Sequence, residues 1–445
     1  MKSRTSVMVS IVLAMLVASL DSTIMNTTMP VIAKELGRFD LYAWSFASYM
    51  IASTILSPVA GRLSDLFGRK KVFGFGIIAF LIGSMLCGVA NTMIQLVLFR
   101  AVQGIGAGFM VAFPAIIAGD LFPVEKRGKI QALFTTMWGL SAVLAPLLGA
   151  FFVDYLTWRW IFFINLPVCI VSFLTLMPYQ ESYEPKRAKV DYIGAILFGA
   201  GVTSLLLVTV VEQNRVVYTV AGLILLVIFY LHERKHASPI VPLSMFQNKT
   251  LSWININAFI GTVALFGTSS YIPLFLQRVA HLSLFMSGVA LLGTAVGWMS
   301  VSVPAGKWIL KHGYRKLLLI GNVLLVGSGT LLLMLNESHG FFYVFCVMIV
   351  QGLSFGLLST VGVIGVQQLV GGHERGISTS FFMFCRNMGT AIGVTIMGAL
   401  LTSGGSFMAG IHHLFLFGFA GSIVALLTSL KIQNDTESKH SRAAS

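Results

Sequence analysis

The stretch GRLSDLFGRKK (residues 61–71) recurs as GKWILKHGYRK (residues 306–316), 245 positions further along the chain. Two shorter matches share an offset of 248: VQG at 102–104 recurs at 350–352, and KRG at 126–128 recurs as ERG at 374–376. Similar offsets in three separated segments indicate two related halves of the chain. The alternative is chance similarity among glycine-rich loops.

The composition identifies an integral membrane protein. Of 445 residues, 56% are hydrophobic and 10% charged, with a mean hydropathy of +0.86. A soluble domain carries about 25% charged residues, so this chain cannot cover a water-facing surface, and secreted or nucleic-acid-binding classes are excluded. The four cysteines lie inside apolar runs without disulfide or metal-ligand spacing, and we expect no metal site: Cys87, Cys169, Cys346 and Cys385.

Apolar runs of about 20 residues, the length that crosses a bilayer as a helix, recur along the whole chain. There are fourteen: 7–29, 43–61, 72–91, 94–118, 131–153, 159–178, 190–211, 216–232, 253–276, 284–306, 316–335, 340–366, 377–403 and 408–430. The first contains Asp21 and lacks a cleavage site of small residues, so we interpret it as a retained helix and not a signal peptide. The predicted fold is an all-α polytopic membrane protein with 14 transmembrane helices.

The repeat divides these helices into two pseudo-symmetric six-helix halves with two helices inserted between them. The predicted parts are an N-terminal half (1–180), two inserted helices with a linker (181–250), a C-terminal half (251–432) and a polar cytoplasmic tail (433–445). Two such halves that rock about a site at the bilayer midplane form a transporter plan.

The basic residues predict the orientation. With both termini in the cytoplasm, 23 of the 30 Lys and Arg lie on the cytoplasmic side, five lie outside, and Arg100 and Arg386 lie within spans. This is a strong positive-inside bias, and it explains the net charge of +14 without nucleic acid.

Asp21 is the central candidate residue, because a carboxylate inside a membrane must pair, face water or take up a proton. It lies about 9 Å from the outer boundary of the first helix, and Arg100 enters the fourth helix to a similar depth. Gln103 lies one turn further inward than Arg100. Asp21 either couples protons to substrate transport or only hydrogen-bonds to neighbouring helices. Arg100 either assists this proton transfer or forms a purely structural ion pair.

Four motifs carry a resemblance to a known family. Residues 61–71 resemble the loop between helices 2 and 3 of the major facilitator superfamily. The other three resemble motifs of its 14-helix drug:proton antiporter branch: LDSTIMNTTMP (20–30), RAVQGIGAG (100–108) and WRWIFFINLP (158–167). The helix 5 antiporter motif departs from the family pattern and is here APLLGA (145–150).

The resemblance implies roles for particular residues. Helices 1 and 4 both line the cavity in this superfamily, so Asp21 and Arg100 can form a pair. Asp21 and Arg100 would couple protons, and the loop with Gly61, Asp65, Gly68 and Arg69 would act as a gate, with Asp65 at the start of helix 13. A merely topogenic basic loop is the alternative. Arg386 would suit an anionic or zwitterionic substrate group, or it is satisfied by backbone carbonyls. The expected substrate cavity comprises Asn26, Tyr49, Gln103, Trp138, Tyr271, Trp298, Phe381, Phe384 and Arg386.

These features predict a proton-coupled exporter of amphipathic drugs, such as quinolone-like antimicrobials and monovalent cationic dyes, in a bacterial cytoplasmic membrane. We expect a monomer without cofactors, driven by the proton gradient, because no GxxxxGK[ST] loop for ATP occurs. The alternatives are a transporter of an endogenous anionic solute or glycolipid, and a membrane-embedded enzyme or receptor. The last would need a catalytic cluster or a soluble domain.

Overall fold

The computed structural model describes residues 2–38, 41–180, 191–208, 211, 213–236, 239–241, 243–282, 284–337, 339–402 and 406–433. Within helices, some side chains, including that of Asn26, lie outside this description. Residues 434–445 of the predicted tail and residues 181–190, before the first inserted helix, also lie outside it.

The described residues form α-helices and short 3-10 turns, with no strand among them, which confirms the all-α prediction. The helices are α1 Lys2–Leu36, α2 Tyr42–Phe67, α3 Arg69–Gly88, α4 Met93–Val111, α5 Phe113–Leu121, α6 Val124–Tyr155, α7 Trp160–Phe163, α8 Asn165–Leu176, α9 Tyr192–Leu207, α10 Arg215–Glu233, α11 Lys249–Ser269, α12 Ile272–Arg278, α13 Leu284–Leu333, α14 Phe341–Gln368, α15 Arg375–Thr402 and α16 Phe407–Ser429.

Each predicted apolar run falls largely on one or two of these helices. The pairs α4–α5, α7–α8 and α11–α12 each cover a single run, whereas α13 covers two runs around Gly313. Eight helical segments within the described residues are long and apolar enough to cross a bilayer. The number of crossings, fourteen, therefore stays a prediction.

Polar side chains begin several of the helices. Thr92, Asp191, Asn248 and Ser406 each precede a helix, and each side chain accepts a hydrogen bond from a backbone N–H of the first turn. Such N-caps satisfy donors that have no partner inside the helix. The local sequence thus fixes where α4, α9, α11 and α16 start.

Equivalent glycines of the repeat adopt the same unusual backbone. Gly68 lies between α2 and α3 with φ 98° and ψ 149°, and Gly313 kinks α13 with φ 73° and ψ 161°. This region of φ and ψ is essentially reserved for glycine. The repeated glycine therefore allows the same break between consecutive helical segments at the same place in both halves.

Close helix packing is also duplicated. A Cβ on Gly104 of α4 would lie 2.5 Å from the carbonyl oxygen of Tyr49 on α2. A Cβ on Gly352 of α14 would lie 2.2 Å from the carbonyl oxygen of Thr294 on α13. Tyr49 and Thr294 are 245 positions apart, so the repeat seen in sequence reproduces the same contact. Small residues permit this close approach of membrane helices.

The chain divides into two compact units. The first comprises Met1–Leu121, Thr136–Leu243 and Gly371–Phe381, and the second comprises Phe122–Thr135, Ser244–Val370 and Phe382–Ser445. The first unit thus includes α9 and α10, and each unit contains a short segment from the other half of the sequence. The domain boundaries predicted from the repeat stay a prediction.

The contact of Gly352 predicts an asymmetric response to two similar substitutions. Gly352→Ala should lower the stability by about 1–3 kcal/mol, because the new methyl group overlaps a backbone carbonyl. The matched control Gly327→Ala, where a Cβ meets nothing within 4 Å, should be neutral or stabilise α13 by up to about 1 kcal/mol. Thermal unfolding in detergent measures both. Equal stability of the two variants would contradict the packing described here.

Candidate functional site

Asp21 and Arg100 form a buried ion pair in the first unit. Nη1 of Arg100 donates to Oδ2 of Asp21 at 2.5 Å. The side chain of Asp21 is 1% exposed, and that of Arg100 is 2% exposed. The sequence left open whether Asp21 pairs with Arg100, and the structure contains the pair.

Gln103 closes the pair into a triad. Its Nε2 donates to Oδ1 of Asp21 at 2.7 Å, while its Oε1 accepts from Nη1 of Arg100 at 2.6 Å. Arg100 and Gln103 face the same way because residues three apart on a helix are neighbours. Both carboxylate oxygens of Asp21 thus accept a hydrogen bond.

Arg100 also has partners outside the triad. Its Nε donates to the carbonyl oxygen of Ser45 at 3.4 Å. Its guanidinium carbon lies 4.2 Å from the centre of the Tyr49 ring. These α2 contacts can hold the cation when Asp21 does not, because a ring face attracts a positive charge.

The chemistry of such a triad follows from burial. Removing one partner of a buried ion pair is costly, about 3–5 kcal/mol, because the other charge stays behind without compensation. The contacts of Arg100 with Gln103, Ser45 and Tyr49 therefore support the pair on the side of the cation.

The second unit has a neutral counterpart at the equivalent place. Gln351, which corresponds to Gln103, donates through Nε2 to Oγ1 of Thr268 at 3.0 Å and to the carbonyl oxygen of Leu265 at 3.3 Å. Met348 occupies the position that corresponds to Arg100. Both copies of the repeat thus have the glutamine, but only the first has an arginine, where the second has a methionine.

Asp65 lies at the start of α15, as predicted. This helix covers the thirteenth apolar run, 377–403, and is the helix 13 of the sequence prediction. Its Oδ1 accepts from the backbone N–H of Gly376 at 3.0 Å, and its Oδ2 accepts from that of Ile377 at 2.8 Å. The positive end of the helix dipole favours a carboxylate here. A Cβ on Gly61 would lie 2.6 Å from the carbonyl oxygen of Gly376, so the backbones approach closely.

Arg69 connects Asp65 to a second acid. It donates to Asp65, to Oγ of Ser64 at 2.6 Å and to Oδ2 of Asp120 at 3.1 Å. Asp120 in turn accepts from Arg375 at 3.0 Å. Asp120 was not among the residues predicted from the sequence, where it is a lone acid just after the apolar run 94–118. Two arginines and two aspartates therefore form one charge-balanced network.

The ionisation of Asp65, which lies beyond the apolar run 43–61, follows from its surroundings. Burial raises the pKa of Asp65 to about 6, although Arg69 and the N–H groups of Ile377 and Gly376 act in the opposite direction. The carboxyl group is therefore ionised at neutral pH, as the cap at α15 requires.

The corresponding contact in the second unit lacks this acid. A Cβ on Gly306 would lie 3.1 Å from the nitrogen of Gly128, so these two glycines also meet closely. Leu310 stands where Asp65 stands in the first copy, and it is 54% exposed. The two copies share the backbone contact but differ in charge.

Arg386 lies beside a narrow cavity in the second unit. Its Nη1 donates to Oγ of Ser359 at 3.0 Å, and its guanidinium carbon lies 4.8 Å from the Phe355 ring centre. Its Nε is buried and has no hydrogen-bond partner within the described part of the chain. The cavity lining is Asn257, Ala258, Gly261, Thr262, Leu265, Phe355, Leu358, Ser359, Phe382 and Arg386.

The other predicted cavity residues are dispersed. In the second unit, Trp298 stacks edge-on against Phe355 at 4.7 Å, and the hydroxyl of Tyr271 donates to the carbonyl oxygen of Val394 at 2.8 Å. Trp138, in the first unit, is 42% exposed. Phe381 belongs to the first unit and Phe384 to the second. Phe355 and Phe382, which sequence analysis did not select, line the cavity instead.

Comparison with known proteins identifies the family. The family model described as "Major Facilitator Superfamily" matches residues 11–302 and 289–445. The chain belongs to the major facilitator superfamily and is a multi-pass membrane transporter. The four motifs from which this membership was predicted all lie within the first matched range, residues 11–302.

Two relatives from Bacillus subtilis (strain 168) match most of the chain. "Multidrug transporter protein MdtP" is 32% identical over 409 residues, covering 90% of this chain and 76% of that protein. "Multidrug resistance protein 3" is 35% identical over 408 residues, covering 89% and 79%. Among solved structures, the human organic anion transporter MFSD10 (TETRAN) superposes with a TM-score of 0.71 at 16% identity, covering 96% of this chain and 99% of that one. That likeness concerns the fold.

The cap formed by Asp65 can be tested by hydrogen exchange. Asp65→Ala leaves the N–H groups of Gly376 and Ile377 without their acceptor, so exchange in a peptide covering residues 372–380 should become about tenfold faster or more. Mass spectrometry of the protein in detergent measures this rate. The control is Leu310→Ala, at the equivalent position of the second copy, which should leave that peptide unchanged. Unchanged exchange in Asp65→Ala would mean that the cap does not hold α15.

Proposed function

We propose that this transporter exports amphipathic drugs in exchange for protons by alternating access, in a bacterial cytoplasmic membrane with both termini in the cytoplasm. The observation that carries the proposal is the buried triad of Asp21, Arg100 and Gln103, present in one half of a duplicated fold. Drugs are proposed as substrates because both Bacillus relatives are named for multidrug transport or resistance. A proton gradient alone drives the cycle, without cofactors.

The proton step uses the alternative partners of Arg100. When water reaches the triad from outside, Asp21 binds a proton, and Arg100 keeps its contacts with Ser45 and Tyr49. When the site faces the cytoplasm, drug binding favours the ion pair again and the proton leaves. One intramembrane carboxylate then carries one proton per cycle.

The substrate step uses the cavity beside Arg386. When this cavity opens during the alternating-access cycle, an amphipathic drug places its rings against Phe355 and Phe382, and a carboxylate on the drug accepts from the unpartnered Nε of Arg386. A zwitterionic quinolone fits this combination. A monovalent cationic dye uses the aromatic surface alone.

A second candidate substrate is an endogenous anionic solute or glycolipid. The observation that favours it is the same Nε of Arg386, because an isolated cation beside a cavity selects negative charge. The two candidates differ in whether cationic dyes are transported at all.

The network of Asp65, Arg69 and Asp120 acts as the gate. We propose that these ion pairs form when the cytoplasmic side is closed and break when that side opens. Ionised Asp65 stabilises the closed arrangement through the start of α15. The second copy, with Leu310, lacks this ionic lock.

Asp21→Asn should abolish uphill transport. In vesicles with purified protein and an acidic lumen, one pH unit sustains about tenfold accumulation of a monovalent cation exchanged for one proton. Ethidium accumulation in Asp21→Asn should fall to the level without a gradient, because asparagine cannot bind the proton. Downhill exchange of ethidium should remain, which shows that the protein is folded.

The matched control is Glu35→Gln, an acid-to-amide change in α1 where the glutamate pairs with Arg159 and is 51% exposed. It should accumulate ethidium as the unchanged protein does. Full gradient-driven accumulation by Asp21→Asn would refute proton coupling through this residue.

Arg386→Gln should separate substrates by charge. A hydrogen bond to a charged group contributes about 1.5–3 kcal/mol, so the apparent KM for norfloxacin should rise about tenfold or more. The KM for ethidium should change less than about twofold, because it presents no anion to Arg386. Initial rates in the same vesicles measure both.

Arg386→Lys is the control, because it keeps the charge and should retain part of the norfloxacin affinity. An equal loss for both drugs in Arg386→Gln would indicate a structural role for Arg386. Failure to transport ethidium in the unchanged protein, with transport of anions, would favour the second candidate.

A further inference from the structure

The first turn of α9 and the end of α10 bring together three side chains that have no part in the proposed transport cycle. Nε2 of His232 lies 3.0 Å from both carboxylate oxygens of Asp191, and Nδ1 of His236 lies 3.6 Å from Oδ2. One ligand atom from each of the three lies within 4.8 Å of the others. Within the described residues, this is the one group of at least three His, Cys, Asp or Glu with such spacing.

The sequence explains how the two imidazoles meet. Residues 232–236 read HERKH, so two histidines stand four positions apart. The backbone N–H of His236 donates to the carbonyl oxygen of His232 at 3.1 Å, so the helical turn continues past the end of α10. Residues four apart on a turn share a face, which is the spacing of paired zinc ligands.

Asp191 is held in place as a third ligand. It caps α9, where its Oδ1 accepts from the N–H of Gly194 at 2.8 Å, and its side chain is 2% exposed. A carboxylate fixed by such a hydrogen bond can bind a metal through its other oxygen. His232 and His236 are 25% and 30% exposed, so an ion can reach them from solution.

We propose that Asp191, His232 and His236 form a binding site for a divalent transition metal ion of the zinc type. Two imidazoles and one carboxylate suit Zn²⁺, Co²⁺ or Ni²⁺ and do not suit Ca²⁺ or Mg²⁺, which prefer oxygen ligands. Three protein ligands leave a coordination position for water. The ion fastens α9 to α10, the two helices inserted between the halves.

Glu233 excludes a peptidase reading of the HExxH pattern. In zinc peptidases this glutamate is the general base and must face the metal-bound water. Here its carboxylate accepts from the backbone N–H of Ile240 at 3.3 Å and of Val241 at 3.1 Å. Glu233 therefore anchors the segment after α10, and the site binds metal without hydrolysing peptides.

The proposal is tested by metal titration of the full-length protein in detergent, purified with a tag free of histidine and stripped with a chelator. Co²⁺ is followed by its visible absorption and then displaced with Zn²⁺. The unchanged protein should bind one Co²⁺ per chain, and Zn²⁺ should raise its melting temperature. His236→Gln, whose side chain is partly exposed, should weaken binding about 100-fold or more, and Asp191→Asn should do the same.

The matched control is the double variant His412→Gln/His413→Gln, which removes adjacent histidines on α16. It should bind Co²⁺ as the unchanged protein does. Binding that survives in His236→Gln and Asp191→Asn but disappears in this control would overturn the proposal. Absence of binding to the unchanged protein at millimolar Co²⁺ would overturn it too, leaving Asp191 and His232 as a simple ion pair.

Discussion

An ion pair sealed inside the membrane-spanning part of the first unit constrains the rest of this transporter. Asp21 and Arg100 cannot separate cheaply, because each would leave a charge in a medium of low polarity. Gln103 can hydrogen-bond Asp21 in either protonation state, and the ring of Tyr49 is a second partner for the guanidinium of Arg100. Any conformational change that admits water or drug to this triad therefore alters the balance between burial and pairing of these two charges.

The duplicated fold separates tasks between its halves. Glycine contacts and positive-φ turns recur at equivalent positions, so both halves share one backbone plan. The charges do not recur: Thr268 and Met348 stand near the places equivalent to the ion pair, and Leu310 replaces Asp65. Arg386 has Trp138 as its counterpart. Under the proposed function, one half handles protons and the other contributes the substrate cavity.

Local sequence patterns predicted what depends on local physics. Apolar runs predicted helices, and similar depth together with the family resemblance made a pair of Asp21 with Arg100 possible, which the structure contains. Partners far apart in sequence were missed: Asp120 lies 51 residues from its partner Arg69, and Asp191 lies 41 residues from His232. The aromatic lining of the cavity was also missed, because with 34 phenylalanines composition cannot distinguish cavity from packing.

Proton release on drug binding is the measurement that tests the central claim most directly. In weakly buffered detergent solution with a pH indicator, saturating ethidium should release up to about one proton per chain from the unchanged protein. The release should vanish when Asp21 is replaced by asparagine. No release from the unchanged protein, or the same release from the variant, would show that this carboxylate does not exchange its proton for drug.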